Sequence, residues 1–195
     1  MYIAIEGIDT CGKSTQIEKL KEIYKQAVFT KEPGGTDIGL SIRDIVLNKE
    51  VKSKSAEMFL FLADRAEHFE QIIKPNQDKL IISDRSLISG IAYATHFIDE
   101  INAIVEMNRF ALDNKFPDGV IFLKLSKEEL TNRVSLKQKD KIENRGIEYM
   151  LKIQQNIKSV LQLLNLNYIE IDASLDVDNI TKKIVQFLKD FDKGC

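Results

Sequence analysis

The chain has 195 residues and a formal net charge of −2, from 28 Lys and Arg against 30 Asp and Glu. Apolar residues make up 44% of the chain and charged residues 30%, with nine Gly and three Pro. This composition excludes a disordered or collagen-like chain. The near-zero net charge provides no general attraction to nucleic acid or to a membrane surface.

The compartment is indicated by the apolar runs and the cysteines. The longest apolar run, 58–63, is far shorter than the roughly 20 residues that span a bilayer. Two cysteines, Cys11 and Cys195, are too few for a disulfide framework or a metal cluster. No basic or cleavable leader pattern precedes the first strand pattern. We therefore expect one domain over 1–195, located in the cytoplasm and with no membrane or nucleic-acid partner.

Short runs rich in β-branched residues alternate with longer amphipathic stretches. The short runs predict strands over 2–5, 27–30, 80–83, 120–123 and 168–171. Helical periodicity covers 13–25, 37–48, 55–73, 86–114, 146–165 and 177–191. Strands separated by helices imply right-handed crossovers, so the predicted fold class is α/β, with a central parallel sheet of about five strands flanked by helices. Ligands bind beyond the carboxyl ends of the strands in such a sheet.

The first strand pattern leads directly into G-x-x-x-x-G-K-[ST] over 7–14. Gly7 and Gly12 let the backbone turn so that successive N–H groups point at phosphate oxygens, and the following helix N-terminus adds its dipole. Lys13 is expected to reach the β- and γ-phosphates, and the Ser14 hydroxyl to bind Mg²⁺. The motif predicts a nucleoside triphosphate site made of Gly7, Ile8, Asp9, Thr10, Cys11, Gly12, Lys13, Ser14 and Thr15.

The sequence contains no motif that recognises a guanine base. The nearest string to Asn-Lys-x-Asp begins at Asn114, but its acid, Asp118, comes one residue late and follows a proline. No second glycine-rich signature of a transport ATPase is found. These observations favour a small-molecule kinase, which needs an acceptor pocket and a closing basic lid.

Candidate acceptor residues follow the second and third strand patterns. The string Glu-Pro-Gly-Gly-Thr occupies 32–36, and Asp84-Arg85 follows the third strand pattern. Phe61 and Arg65 lie between them at four-residue spacing, so they share one helix face. A ring beside a guanidinium can stack on a base while the arginine contacts a carbonyl edge or a phosphate. The structural alternatives are core packing for Phe61, a surface ion pair for Arg65, and bracing of the Pro33 turn by Glu32.

The segment 130–145 is basic and holds few large apolar residues, which predicts a mobile, exposed lid near 130–146. Its basic residues are Arg133, Lys137, Lys139, Lys141 and Arg145. Four of these recur every four residues, a spacing that equally suits a solvated helix face.

These motifs, in this order from Tyr2 to Ala173, resemble those of the bacterial thymidylate kinases, which are P-loop nucleoside monophosphate kinases. The resemblance implies a homodimeric transferase that uses Mg-ATP to phosphorylate dTMP to dTDP in dTTP synthesis. It implies that Arg43 and Arg85 hold the dTMP phosphate, and that Asp84 helps to position Mg²⁺. The implied catalytic residues are Lys13, Arg85, Arg133 and Arg145.

The resemblance also implies the contacts to the nucleoside part of dTMP. Phe61 is expected to stack on thymine and Arg65 to bind its O4 edge. Asp9 is expected to accept a hydrogen bond from the 3′-hydroxyl, and Tyr93 to lie under the sugar. The full implied substrate set is Asp9, Glu32, Pro33, Arg43, Phe61, Arg65, Arg85, Ser89 and Tyr93.

Three positions depart from the family pattern. Thr10 stands where some members carry an arginine, so the lid must supply the transition-state charge, from Arg133 or Arg145. Lys141 stands where arginine is common, and it lacks the planar fork of donors. Ser86 follows Asp-Arg where Tyr or His is frequent, and Asp-Arg-Ser is also found in deoxynucleoside kinases. The alternatives are therefore a deoxynucleoside kinase or, in another class, a nucleotide-dependent switch or binding module.

Overall fold

The computed structural model describes residues 1–135 and 146–192. Five parallel strands form one sheet in the order β2-β3-β1-β4-β5. The strands are β1 (Tyr2–Glu6), β2 (Val28–Lys31), β3 (Ile81–Asp84), β4 (Gly119–Lys124) and β5 (Tyr168–Asp172). The predicted parallel sheet of five strands is confirmed.

Eight α-helices connect the strands of the described residues. They are α1 (Lys13–Ile23), α2 (Asp37–Asn48), α3 (Lys54–His68), α4 (Leu87–Ala94), α5 (Ile101–Ala111), α6 (Lys127–Ser135), α7 (Ile147–Leu163) and α8 (Val177–Asp192). A π-helical turn over Phe69–Ile73 and a 3₁₀ turn over Lys74–Asn76 continue α3. Within 1–135 and 146–192, no helix is long and apolar enough to cross a membrane.

The central strand β1 positions the site. Every residue of β1 is buried, because helices cover both faces of a parallel sheet and exclude water from its middle. β1 pairs with β3 from Tyr2 opposite Ile81 to Ile5 opposite Asp84, and with β4 on its other side. The segments that leave β1 and β3 therefore begin side by side at one edge of the sheet.

The predicted helix over 86–114 is wrong as a single element, because it is two helices, α4 and α5, separated by 95–100. The chain leaves α4 through turns in which the N–H groups of Thr95, Phe97 and Ile98 bond to carbonyls near the helix end. No Gly or Pro lies in 95–100 to signal this break, and Gly90, the one glycine in 86–114, lies inside α4.

Residues 130–135 of the predicted lid belong to helix α6, where Thr131, Asn132 and Ser135 are exposed. Leu130 and Val134 are buried there. Their four-residue spacing puts both side chains on one face of α6, which packs against α7. The remaining basic residues of the predicted lid (Lys137, Lys139, Lys141 and Arg145) lie outside the described residues.

Candidate active site

The segment between β1 and α1 forms the glycine-rich loop, with two glycines in conformations that side chains disfavour. Gly7 has φ of 150°, and a Cβ there would stand 2.6 Å from both Cys11 Sγ and the Leu123 carbonyl oxygen. Gly12 has φ of 93°. Thr10 is in the left-handed region at φ 67°, which is unusual for a β-branched residue. The loop therefore holds the tight curve that the motif predicts.

The Lys13 ammonium lies inside the curve of this loop. Its Nζ donates to the carbonyl oxygens of Gly7 and Ile8, each at 3.0 Å, and the side chain is almost buried. Ser14, the next residue, is exposed at the start of α1. A positive charge and the first N–H groups of a helix therefore face the same place, which is the arrangement that binds an anionic phosphate.

A cavity of about 490 Å³ opens beside the loop. All nine residues predicted for the acceptor side line this cavity: Asp9, Glu32, Pro33, Arg43, Phe61, Arg65, Arg85, Ser89 and Tyr93. They come from the glycine-rich loop, from helices α2, α3 and α4, and from the two segments that follow β2 and β3. The structure thus brings together residues that are up to 84 positions apart (93 − 9) in the sequence.

Arg85 joins the glycine-rich loop to the cavity. Its guanidinium donates to the Gly7 carbonyl at 2.7 Å and to Ser89 Oγ at 3.0 Å, and it pairs with the Asp9 carboxylate. The backbone of Arg85 has φ of 70° and is held there by Ser83 Oγ, which donates to the Arg85 carbonyl at 2.7 Å. The guanidinium carbon lies 6.0 Å from the centre of the Tyr93 ring.

Arg65 on α3 is buried, and its ion pair is an internal one rather than the surface pair considered as an alternative. Its Nε donates to Glu32 Oε2 at 2.9 Å, and its Nη1 to Asn108 Oδ1 at 2.8 Å. His68 Nδ1 lies 3.0 Å from the other oxygen of Glu32. Burial acts to raise the pKa of Glu32, but Arg65 and His68 outweigh it and hold that pKa below its usual value. Glu32 therefore fixes Arg65 at the cavity wall, a role beyond bracing the Pro33 turn.

Arg43 on α2, the phosphate-contact candidate, and Asp64 on α3 both bond to the segment after β2. Arg43 Nη1 donates to the Pro33 carbonyl at 2.9 Å, and the Glu32–Pro33 peptide bond is cis. Asp64 Oδ1 accepts a hydrogen bond from the Gly34 N–H at 2.9 Å. Burial, together with the nearby charge of Glu32, raises the pKa of Asp64 from 3.8 to about 6.

The residues present fit a magnesium ion that is held partly by nucleotide. Asp84 Oδ1 is buried at the end of β3 and has no hydrogen-bond partner among the described residues. A buried carboxylate oxygen of this kind suits a cation or one of its water ligands. In the described parts of the chain, no three His, Cys, Asp or Glu side chains gather as a metal cluster. Mg²⁺ typically takes one or two protein oxygens and completes its shell with phosphates and water.

Arg133 reaches the glycine-rich loop from α6. Its Nη1 donates to the Thr10 carbonyl at 3.2 Å, its Nη2 to the Ala173 carbonyl at 2.7 Å, and its Nε to Glu129 Oε1 at 2.6 Å. In this conformation the side chain ties the loop to the end of β5. Arg145, the other lid arginine of the prediction, lies outside the described residues.

Two functional candidates escaped the sequence reasoning. Asn108 lies on α5, buried beside Arg65, and no pattern along α5 distinguishes it from other polar residues. Glu6 ends β1 and is fully buried, where Ser86 Oγ donates to its Oε1 at 2.8 Å and Ser89 Oγ donates to its Oε2. Glu6 is a lone acid at the end of an apolar strand, just before the glycine-rich loop. That position could have marked it as a buried carboxylate that needs hydrogen-bond partners.

A glycine-rich phosphate loop at the centre of a parallel sheet, beside a cavity lined by arginines and an aromatic ring, defines a P-loop kinase with a small nucleotide acceptor. The comparisons with known proteins agree with this class. The sequence model described as "Thymidylate kinase" matches residues 5–184. The chain belongs to the thymidylate kinase family.

Individual relatives match over nearly their whole length. A thymidylate kinase from Aliarcobacter butzleri is 53% identical over 96% of this chain and 98% of its own. One from Sulfurimonas denitrificans is 54% identical over 95% and 97%. The crystal structure of thymidylate kinase from Ehrlichia chaffeensis superimposes with a TM-score of 0.75 at 27% identity, covering 97% of this chain and 98% of the other.

Proposed function

We propose that this chain transfers the γ-phosphoryl group of Mg-ATP to dTMP, giving dTDP for dTTP synthesis. The observation that carries the proposal is the position of Arg85, which bonds the glycine-rich loop at Gly7 and at the same time lines the acceptor cavity. A donor phosphate on the loop and an acceptor phosphate beside Arg85 are then neighbours. Membership of the thymidylate kinase family supports dTMP as the acceptor.

On the donor side, the glycine-rich loop and the first turn of α1, together spanning Gly7 to Thr15, hold the ATP phosphates. The Lys13 ammonium exchanges the Gly7 and Ile8 carbonyls for phosphate oxygens, because anionic oxygens form stronger hydrogen bonds with a cation than neutral carbonyls do. Ser14 and Asp84 would provide the protein oxygens for Mg²⁺, which would neutralise charge on the phosphates.

On the acceptor side, Arg43 and Arg85 bind the dTMP phosphate, and Phe61 stacks on thymine. Arg65 reads the O4 edge of the base from the orientation that Glu32 and Asn108 impose. Asp9 accepts from the 3′-hydroxyl, and Tyr93 packs under the sugar. Glu32, Pro33 and Ser89 complete the walls of the cavity.

The chemistry needs positioning more than proton transfer. The acceptor is a phosphate oxygen that is already ionised, so no strong general base is required. Lys13 and Arg85 align the donor and acceptor and offset the charge that spreads over the transferred group. The remaining charge comes from the lid near 130–146, through Arg133 or Arg145. Arg133 must leave the Thr10 and Ala173 carbonyls to reach the phosphoryl group.

The catalytic unit is proposed to be a homodimer that works in the cytoplasm. Phe59, Ala63 and Ala66 of α3 are exposed. They lie on one face of the helix, because their spacing repeats about once each helical turn. Phe110 on the adjoining α5 is 91% exposed. Small residues beside exposed aromatic rings let two helices approach closely, so we assign this surface to a second copy of the chain.

A screen of acceptors in a coupled ATP-consumption assay tests the proposed function. dTMP is expected to be the best acceptor among nucleoside monophosphates and thymidine. Faster phosphorylation of thymidine than of dTMP would instead identify a deoxynucleoside kinase. ATP turnover that no nucleotide acceptor stimulates would identify a nucleotide-dependent switch or binding module.

A further inference from the structure

The buried Glu6 carboxylate is linked to Arg85 by two successive hydrogen bonds through Ser89, a residue of the cavity wall. Ser89 Oγ donates to Glu6 Oε2, and the same Ser89 oxygen accepts from Arg85 Nη1 at 3.0 Å. Ser86 Oγ and the Ser89 N–H both bond to the other carboxylate oxygen, at 2.8 Å and 3.4 Å. Glu6, Ser86 and Ser89 are all buried, so water does not compete for these bonds.

The direction of this chain of bonds is fixed by its chemistry. A serine hydroxyl has one proton to donate. Because the Ser89 hydroxyl donates its one hydrogen bond to Glu6, only the lone pairs of its oxygen face Arg85. Without the carboxylate, the hydroxyl is free to rotate, and its proton can point at the guanidinium and repel it.

We propose that Glu6 is a positioning residue for Arg85: through Ser89, it holds the guanidinium at the orientation that binds the acceptor phosphate. This inference rests on the proposed role of Arg85. Arg85 needs such support because its backbone is held at φ of 70° and its side chain must serve Gly7, Asp9 and the cavity together. Burial raises the pKa of Glu6, while Ser89 and Arg85 oppose that rise by favouring the carboxylate.

The competing explanation is that Glu6 only stabilises the start of α4. Ser86 is the N-cap of α4, and its hydroxyl accepts from the Ile88 N–H at 3.3 Å as well as donating to Glu6. A purely structural Glu6 would lower the melting temperature when replaced, with no selective effect on the acceptor. A positioning Glu6 would change the KM for dTMP more than the KM for ATP.

The test compares Glu6→Gln, Ser89→Ala and Arg85→Ala with the double variant Glu6→Gln/Arg85→Ala, measuring kcat and both KM values. Glu6→Gln and Ser89→Ala are each expected to raise the KM for dTMP about tenfold, as for one lost hydrogen bond to a charged group. The KM for ATP should stay within about twofold. In the Arg85→Ala background, Glu6→Gln should add less than about twofold, since a residue that acts through Arg85 has nothing left to position.

Ser86→Ala is the matched control, because it removes a hydroxyl from the same carboxylate without touching the Arg85 side chain. It should lower the melting temperature and leave the KM for dTMP within about twofold. An equal effect of Ser86→Ala and Ser89→Ala on that KM would overturn the proposal, as would a Glu6→Gln defect that is fully retained in the double variant. If Glu6→Gln does not fold, Glu6→Asp, which keeps the charge but shortens the reach to Ser89, is tested by the same criteria. Unchanged dTMP kinetics in Arg85→Ala would instead refute the role of Arg85 itself.

Discussion

Lys13 shows how one side chain is held ready by its own loop. Its ammonium is bonded to the Gly7 and Ile8 carbonyls in a nearly buried position, and the loop keeps its curve through Gly7 and Gly12 rather than through this side chain. Lys13→Ala is therefore expected to fold and to lose at least about 10²-fold in kcat, because a preorganised charge on the transferred group is missing. Steady-state kinetics and thermal unfolding check both parts, and near-normal turnover would contradict the assignment.

Asp64 links the acceptor wall to the pH dependence of stability. Its pKa of about 6 lies above the ordinary 3.8, so the folded protein binds this proton more tightly than the unfolded chain does. The contribution of Asp64 to the free energy of unfolding therefore falls as pH rises from about 4 to about 6 and is constant above that range.

The substitution Asp64→Asn removes this titration and keeps an oxygen that accepts from the Gly34 N–H. The free energy of unfolding of Asp64→Asn minus that of the wild type should therefore increase across the same pH window. Urea denaturation at a series of pH values measures the difference. A difference that stays constant from pH 4 to pH 7 would show that Asp64 is not titrating there.

At the scale of elements, helix α6 shows a clear difference between the sequence prediction and the structure. The many basic residues of 130–145 predict an exposed segment, although Leu130 and Val134 are buried. Their burial depends on packing of α6 against α7, which the local sequence does not indicate. The glycine-rich loop was predictable in full because its signal is local and its spacing is fixed. Arg65 and Phe61 were predictable as a pair on one helix face. The bonds from Arg65 to Glu32 and Asn108 were not, because those residues come from distant parts of the chain.

The same limit explains the break between α4 and α5 and the omission of Glu6. Turn-forming Gly or Pro residues mark many helix ends, and 95–100 has neither. A buried acid such as Glu6 is recognisable only when the hydroxyls that satisfy it are known, and Ser86 and Ser89 lie about 80 residues further along the chain. Tertiary contacts, not local patterns, determine these features.

Helix α6 carries the prediction for the lid. Arg133→Ala is expected to lower kcat by about 10²-fold, the scale for loss of a single transition-state donor, with little change in the KM for ATP. Lys127→Ala is the control, since Lys127 is an exposed cation on the same helix, paired with Glu148. If Arg133→Ala keeps kcat within about threefold of the wild type, the charge comes from elsewhere in the lid.

At the scale of the whole molecule, the exposed face of α3 predicts self-association. Ala63→Arg is expected to convert a dimer into monomers, because a long charged side chain prevents close helix contact at that face. Light scattering after size-exclusion chromatography measures the mass. Ser159→Arg on the exposed side of α7 is the matched control and should remain dimeric. A wild-type chain that runs as a monomer would refute the assigned interface.

The pairing of β1 with β3 has a consequence for how the reaction is timed. The donor loop continues from β1 and the acceptor arginine from β3, and these strands are joined by a ladder of backbone hydrogen bonds that ends at Ile5 and Asp84. We therefore expect the gap that the phosphoryl group crosses to be set by this ladder rather than by the surrounding helices. Outer helices can shift to admit or release a nucleotide without altering that gap. In the proposed reaction, the reactants therefore start at a separation that the strands set, and the lid is expected to contribute charge and exclusion of water rather than distance.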